Sequence, residues 1–224
     1  MLLALDTATR TAGLALYDQE AGRVLGEESW YCSDNHTVEL MPRLVRLAAQ
    51  LGVSPASLDG VIVSLGPGSF TGLRTGLGVA KGLVLAHRLP LVGIPTLEVV
   101  ARPHMYQQLP IWAVLQAGRG RICAAHYVRR RGRWLQQAPY YLTTWEKLCA
   151  DVEKPALLCG EIDAHDADSI REQLGPDVTI ATPAASLRRA AYLAELGWER
   201  LAQSDRDNPA TLAPIYLQQP SIDG

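Results

Sequence analysis

Two short stretches near the start of this 224-residue chain hold the residue types that could do chemistry. Asp6-Thr7-Ala8-Thr9 closes the first apolar run with a carboxylate and two hydroxyls, the set a hairpin needs to coordinate Mg²⁺ or a nucleotide phosphate. A local Asx-type turn accounts for the same residues equally well. Further on, Ser64-Leu-Gly66-Pro67-Gly68-Ser69-Phe70-Thr71-Gly72-Leu73-Arg74-Thr75-Gly76 joins a buried strand to a helix through a glycine-proline turn. A helix N-terminus presents unpaired N–H groups, so this loop could be an anion site. It is not a Walker A loop, because no Gly-Lys-Ser/Thr follows at the required spacing, and it does not match the dinucleotide G-x-G-x-x-G fingerprint. Phosphate binding and a structural turn both stay open.

The helix that follows contains Gly72, Gly76, Gly78 and Gly82, each costing about 1 kcal/mol relative to alanine. Something must offset that cost. The pairs Gly72/Gly76 and Gly78/Gly82 have the small-x-x-x-small spacing that lets two backbones approach closely. Packing within the domain is one explanation, and a subunit interface shared with the helix over His36 to Leu51 is the other. Elsewhere the chemistry thins out. His36 is followed four residues later by Leu40, so no H-x-x-x-H metal pair forms, and His87, His104, His126 and His165 lack a partner at a recognisable spacing. Cys32, Cys123, Cys149 and Cys159 are scattered, which indicates buried apolar thiols in a reduced cytoplasm rather than a zinc site or disulfide framework. No Ser/His/Asp or Cys/His set can be assembled.

These residues must be held by a soluble fold. Hydrophobic residues make up 48% of the chain and charged residues 20%, with a formal net charge of −2, which argues against a dedicated nucleic-acid binder but not against a partner that supplies basic surface. No run approaches the roughly 18 to 20 apolar residues of a membrane span, and the start does not read as a signal peptide. Strands are predicted over 2–6, 13–17 and 23–30, a helix over 36–51, a strand over 61–65, a helix over 70–87, a strand over 89–94 and a helix over 96–102. After prolines at 103 and 110 the pattern restarts with strands over 111–115, 121–127 and 133–136. A short helix capped by Thr143 and Glu146 follows, then a strand over 156–159, a helix over 166–174 and a strand over 178–180. Thr182-Pro183 is predicted to start a last helix, carrying Leu187, Ala190, Ala191, Ala194, Trp198 and Leu201 on one face. The shared rhythm predicts two α/β domains of similar topology, at 1–104 and 105–224, the second smaller and less regular.

Taken together, these residues resemble the TsaB (YeaZ) family of bacterial tRNA threonylcarbamoyladenosine proteins. The likeness rests on Leu3-Ala-Leu-Asp6-Thr-Ala-Thr9 with Gly13-Leu-Ala-Leu16, on His36 with Leu40 and Pro42, and above all on Gly66-Pro-Gly-Ser-Phe-Thr-Gly-Leu-Arg74 with Gly76 and Lys81-Gly82. Pro95-Thr-Leu-Glu98 and Pro214-Ile-Tyr-Leu217 add to it. The resemblance implies two ribonuclease-H-like domains of the actin/Hsp70-like nucleotide-binding fold, and a paralogue of TsaD that performs no transfer itself. It implies TsaD and TsaE as partners, tRNA reached indirectly through the complex, and ATP or Mg²⁺ met only there, with no cofactor of its own. On this reading His36, Leu40, Leu44, Leu47, Gly72, Arg74, Gly76 and Leu83 form the partner interface, which a homodimer could use instead.

The same resemblance makes Asp6, Thr7, Thr9, Gly66, Gly68, Ser69, Thr71, Gln116 and Arg119 the loops of a degenerate nucleotide site. Gln116-Ala-Gly-Arg119-Gly-Arg121 departs from the family, since a neutral amide stands where relatives have a carboxylate that could manage Mg²⁺. Gln218 replaces the family's C-terminal arginine. The alternative functions are a small ATP-dependent phosphotransferase or ATPase of the same fold and, more remotely, a metallopeptidase.

Overall fold

The computed structural model describes residues 1–32 and 35–217; Gln218 lies outside them. The elements of the first half are β1 (Leu2–Asp6), β2 (Thr11–Asp18), β3 (Arg23–Tyr31), α1 (His36–Gln50), β4 (Gly60–Gly66), α2 (Phe70–His87), β5 (Leu91–Pro95) and α3 (Thr96–Ala101). β6 (Ile111–Gly118), β7 (Arg121–Arg130), β8 (Arg133–Gln136), β9 (Tyr141–Thr143), α4 (Trp145–Asp151), β10 (Ala156–Gly160), α5 (Ala164–Leu174), β11 (Val178–Ile180) and α6 (Ala190–Leu201) complete the chain. They form two units, one of Met1–Val99 with Arg188–Ile215, the other of Val100–Leu187 with the described chain end from Tyr216.

In the first unit every residue of β1 is buried, so this strand needs cover on both faces. The period-2 alternation supplies it. Leu3 and Leu5 join Leu14, Leu16, Val61 and Val63 against α1 and α2, which contribute Leu40, Leu44, Leu47, Leu77, Ala80 and Val84. Leu2 and Ala4 turn the other way, with Ala15, Ile62, Val92 and Ile94, against Ala190, Leu193, Ala194 and Leu196 of α6. α6 lies close to β4, because a Cβ on Gly197 would run into the side chain of Ile62. Each leucine so buried stabilises the unit by about 1.5–3 kcal/mol before entropy is counted. The strand order is β3-β2-β1-β4-β5, with β1, β2 and β3 antiparallel and β1, β4 and β5 parallel.

The second unit repeats that topology. Its sheet runs β11-β10-β6-β7-β8, antiparallel from β6 to β8 and parallel from β6 to β11, with β9 also pairing β7. One face, carrying Trp112, Val114, Ile122, Ala124 and Leu158, is covered by Leu148 and Cys149 of α4 and Ile170 and Leu174 of α5. Two α/β units of the ribonuclease-H-like, actin-type arrangement are therefore present, the second with shorter outer strands.

The expected boundaries need correction. Residues 188–215 do not belong to the second unit, because the small-residue stripe of α6 fits the otherwise bare face of the first sheet. That helix begins at Ala190, not after Thr182-Pro183. Thr182 Oγ1 accepts from Ala185 N at 3.3 Å and closes one turn, but Arg188 then turns inward and Leu187 is left exposed. The cap between β9 and α4 also differs from the expectation: Thr144, not Thr143, caps α4, accepting from Lys147 N, while Thr143 ends β9. No helix among the described residues is long and apolar enough to cross a membrane.

Candidate functional site

β1 delivers Asp6 to the end of the first sheet, where it is 1% exposed. A carboxylate so buried requires a counter-charge and hydrogen-bond donors. Arg188, itself 4% exposed, provides the charge through an ion pair from its Nε to Asp6 Oδ2. Ser64 Oγ, at the end of β4, donates to Asp6 Oδ1 at 2.8 Å, and Ala8 N donates to the same oxygen at 3.0 Å. The guanidinium also reaches Thr9 Oγ1 at 3.0 Å and the Thr11 carbonyl at 2.7 Å. One arginine thus engages the carboxylate and the Thr9 hydroxyl that the sequence offered to Mg²⁺ or phosphate.

The glycine-rich loop meets the same hairpin from the other side. Ser69 caps α2, its Oγ accepting from Gly72 N at 3.2 Å, and Ser69 N donates to the Ala8 carbonyl at 2.6 Å. Thr7 Oγ1 donates to the Gly72 carbonyl at 2.7 Å. A Cβ added at Gly68 would strike the Ala8 carbonyl, at Gly72 the Thr7 carbonyl, and at Gly76 the Thr7 hydroxyl. These three glycines are therefore there to admit the β1–β2 hairpin. Gly66 sits at φ +106°, a backbone region that only glycine adopts freely. Asp6, Thr7 and Thr9 are brought together with Gly66, Gly68 and Ser69, but they saturate one another. Thr71, in the first turn of α2, is exposed.

In the second unit, Gln116 stands on the β6–β7 hairpin and Arg119 at its tip, with φ +55°. The Gln116 amide donates to Asp166 Oδ2 at 3.0 Å and to the Glu161 carbonyl at 3.2 Å, while its backbone N donates to Glu161 Oε2 at 3.0 Å. Sequence spacing could not show that carboxylates from β10–α5 gather beside this amide. Asp163, His165 and Asp166 place ligand atoms within 4.8 Å of one another at the start of α5, the one group among the described residues with metal-ligand grouping. All three are at least partly exposed, and Asp163 already serves as the N-cap, accepting from Asp166 N at 2.8 Å.

The helix residues expected at a partner interface divide sharply. His36, Leu40, Leu44, Leu47, Gly72 and Gly76 are buried within their own unit, with the His36 ring lying against Gly72. Amphipathic periodicity marks a helix's apolar stripe without saying what covers it, and here the sheet does. Arg74 is exposed, with its guanidinium 3.8 Å above the Phe70 ring, and Leu83 is half-buried. The outward faces carry other residues: Val38, Met41 and Val45 on α1, and Gly78, Gly82 and Leu85 on α2. Val38, Val45 and Leu85 are 69%, 61% and 72% exposed, and a Cβ at Gly78 or Gly82 would meet nothing within 4 Å.

Residues 30–222 match the family model described as TsaD, tRNA N6-adenosine threonylcarbamoyltransferase. The tRNA threonylcarbamoyladenosine biosynthesis protein TsaB of Bacillus subtilis is 30% identical over 97% of this chain and 93% of its own length. Among solved structures, YeaZ from Pseudomonas aeruginosa superposes with a TM-score of 0.78 at 23% identity, covering 96% of this chain and 99% of that one. The activator of 2-hydroxyisocaproyl-CoA dehydratase from Clostridium difficile, solved with bound ADPNP, shares the fold at a TM-score of 0.52 and 10% identity, covering 92% and 99%. The shared topology, the Gly66–Arg74 loop and these full-length likenesses have one reading: the chain belongs to the TsaB (YeaZ) branch of the TsaD-like family.

Proposed function

We propose that this protein is the non-catalytic subunit of the bacterial complex that installs N6-threonylcarbamoyladenosine at position 37 of tRNA, pairing with a TsaD-type transferase and enabling a TsaE-type ATPase to dock. Its family ties it to tRNA threonylcarbamoyladenosine biosynthesis. The observation that carries the rest is the state of Asp6. In a working nucleotide site of this kind a carboxylate at the first strand's end is available to a metal-bound phosphate; here Arg188 supplies a permanent positive charge in its place. The α2 N-terminus is equally committed, since Ser69 N is held by the Ala8 carbonyl.

A subunit that does no chemistry acts through its surface. The outward faces of α1 and α2, which pack side by side, offer apolar side chains beside two glycines that let another helix approach. Val38, Met41, Val45, Gly82 and Leu85, with Arg74 and Leu83 at the margin, are the contact residues of this reading, and a homodimer would compete for the same face. The Val45→Asp and Gly82→Arg variants should lose co-purification with the transferase while melting within about 2 °C of wild type. Wild-type affinity in both would sink the face assignment, and a wild-type chain that never captures the transferase would sink the whole reading. Calorimetry with ATP and Mg²⁺ on the isolated chain should show neither micromolar binding nor turnover; either one would favour the ATPase alternative.

A further inference from the structure

The charge of −2 conceals a strong division along the chain. Residues 99–145 contain seven arginines and no aspartate, glutamate or lysine, whereas the rest of the chain holds 14 basic and 23 acidic side chains. Four of the seven, Arg129, Arg130, Arg131 and Arg133, crowd the β7–β8 hairpin, and all four are exposed. None of them pairs with a carboxylate among the described residues; Arg130 reaches Gln137 at 3.4 Å.

Fold requirements do not explain this tip. Arg130 and Arg133 lie directly opposite each other on the ladder, and like charges at such a pair oppose folding. Arg131 sits at φ +51° in a two-residue turn with Gly132, a place where asparagine, aspartate or glycine is the usual occupant. Aromatic surface adjoins the charge. Trp134 pairs across the ladder with Arg129 and donates its indole N–H to the Met105 carbonyl at 2.9 Å, bringing the Met105–Tyr106 segment alongside, and Tyr106 is 81% exposed. Clustered guanidinium groups recognise phosphates, and an exposed ring beside them stacks on an unpaired base.

We infer that the β7–β8 arginine hairpin, with Tyr106, is a direct contact surface for the RNA phosphate backbone. That the RNA is tRNA rests on the function proposed above; the surface adds a contact of this chain's own to whatever its partner holds.

The test is fluorescence anisotropy of a labelled, unmodified tRNA transcript titrated with the full chain between 50 and 200 mM KCl. Arg130→Gln/Arg131→Gln/Arg133→Gln should weaken binding at least tenfold at 50 mM and reduce the slope of log K against log salt by about 2, since each lost phosphate contact removes roughly 0.7–0.9. Lysines at the same three positions should restore affinity to within about threefold. An equal charge change in the first unit, Arg23→Gln/Arg88→Gln/Arg206→Gln, should alter it less than twofold. Tyr106→Ala should lower affinity severalfold and leave the slope unchanged. The inference is overturned if wild-type chain does not bind tRNA at 50 mM salt, if the hairpin variant binds like wild type, or if the first-unit control loses as much. Tighter binding to anionic vesicles or polyglutamate than to tRNA would overturn it too. Transferase co-purification by the hairpin variant is scored separately, so failure of the scaffold reading shows there and failure of the RNA surface shows in the titration.

Discussion

The two units share one strand topology and put it to opposite uses. In the first, the loops at the strand ends close on each other: Arg188 neutralises Asp6, Ala8 and Thr7 occupy the start of α2, and the glycines that permit this contact have no room to spare. In the second, the corresponding β6–β7 hairpin is open, its Gln116 bonded to a partly exposed aspartate, and β7 ends in a row of exposed guanidinium groups that meet no carboxylate among the described residues. A repeated fold therefore does not imply a repeated site. One copy has invested its polar residues in self-association, and the other displays them.

The sharpest way to break this contrast is to open the closed unit. Arg188→Met leaves a buried, uncompensated carboxylate and should cost about 3–5 kcal/mol in chemical denaturation, while Asp6→Asn combined with Arg188→Met should recover most of it. If Arg188→Met costs less than about 1 kcal/mol, the ion pair does not close the site. A smaller effect divides a single helix. Gly72→Ala drives a methyl into the Thr7 carbonyl and should destabilise by about 1–3 kcal/mol, whereas Gly78→Ala, in open space, should stabilise by up to about 1 kcal/mol. Equal effects at both positions would erase the distinction between the inward and outward faces of α2.

Acid should reveal the second unit. Burial holds the His126 imidazole below its ordinary pKa, against a raising influence from Glu153, and burial likewise lowers His104, offset by its bond with Ala185. Both are more readily protonated in the unfolded chain. Their neutral forms are compatible with the fold above about pH 6.5, and stability declines as pH falls from there through the lowered folded values. His126 stacks on Trp112 at 4.1 Å, so indole fluorescence during urea unfolding at pH 7.5 and 5.0 reports the change, and His126→Phe should flatten it. The least perturbing probe is thiol alkylation followed by mass spectrometry. Burial raises all four thiols, Cys123 to about 11, so none should label readily in the native chain. In mild denaturant, Cys32 reports the first unit and Cys123, Cys149 and Cys159 the second, which shows which of them opens first.

Local pattern made much of this legible. Period-2 and period-3.6 runs located α2 at Phe70–His87 and most strands within a residue or two, and the Gly66–Arg74 loop carried the family resemblance. What stayed hidden was long-range. The partner of Asp6 is 182 residues away, and no spacing rule connects them. The stripe on α6 announced that something would cover it, but not which sheet. The same limit misdirected the interface residues, because Leu40, Leu44 and Leu47 looked identical whether a sheet or a partner lay beneath them. Arg188, Glu161 and Asp166 entered the site through tertiary contact alone.

The return of the chain to the first unit at Arg188 has a consequence for synthesis. β1 leaves the ribosome long before α6, and residues Val100–Leu187 of the second unit must be made in between. Until residues 190–201 emerge, Leu2, Ala4, Ile62, Val92 and Ile94 lack the helix that covers them, and Asp6 lacks its cation. The oldest part of the nascent chain is therefore completed among the last, and a translation product stopped short of Arg188 would carry the Val100–Leu187 body of the second unit behind an exposed apolar sheet.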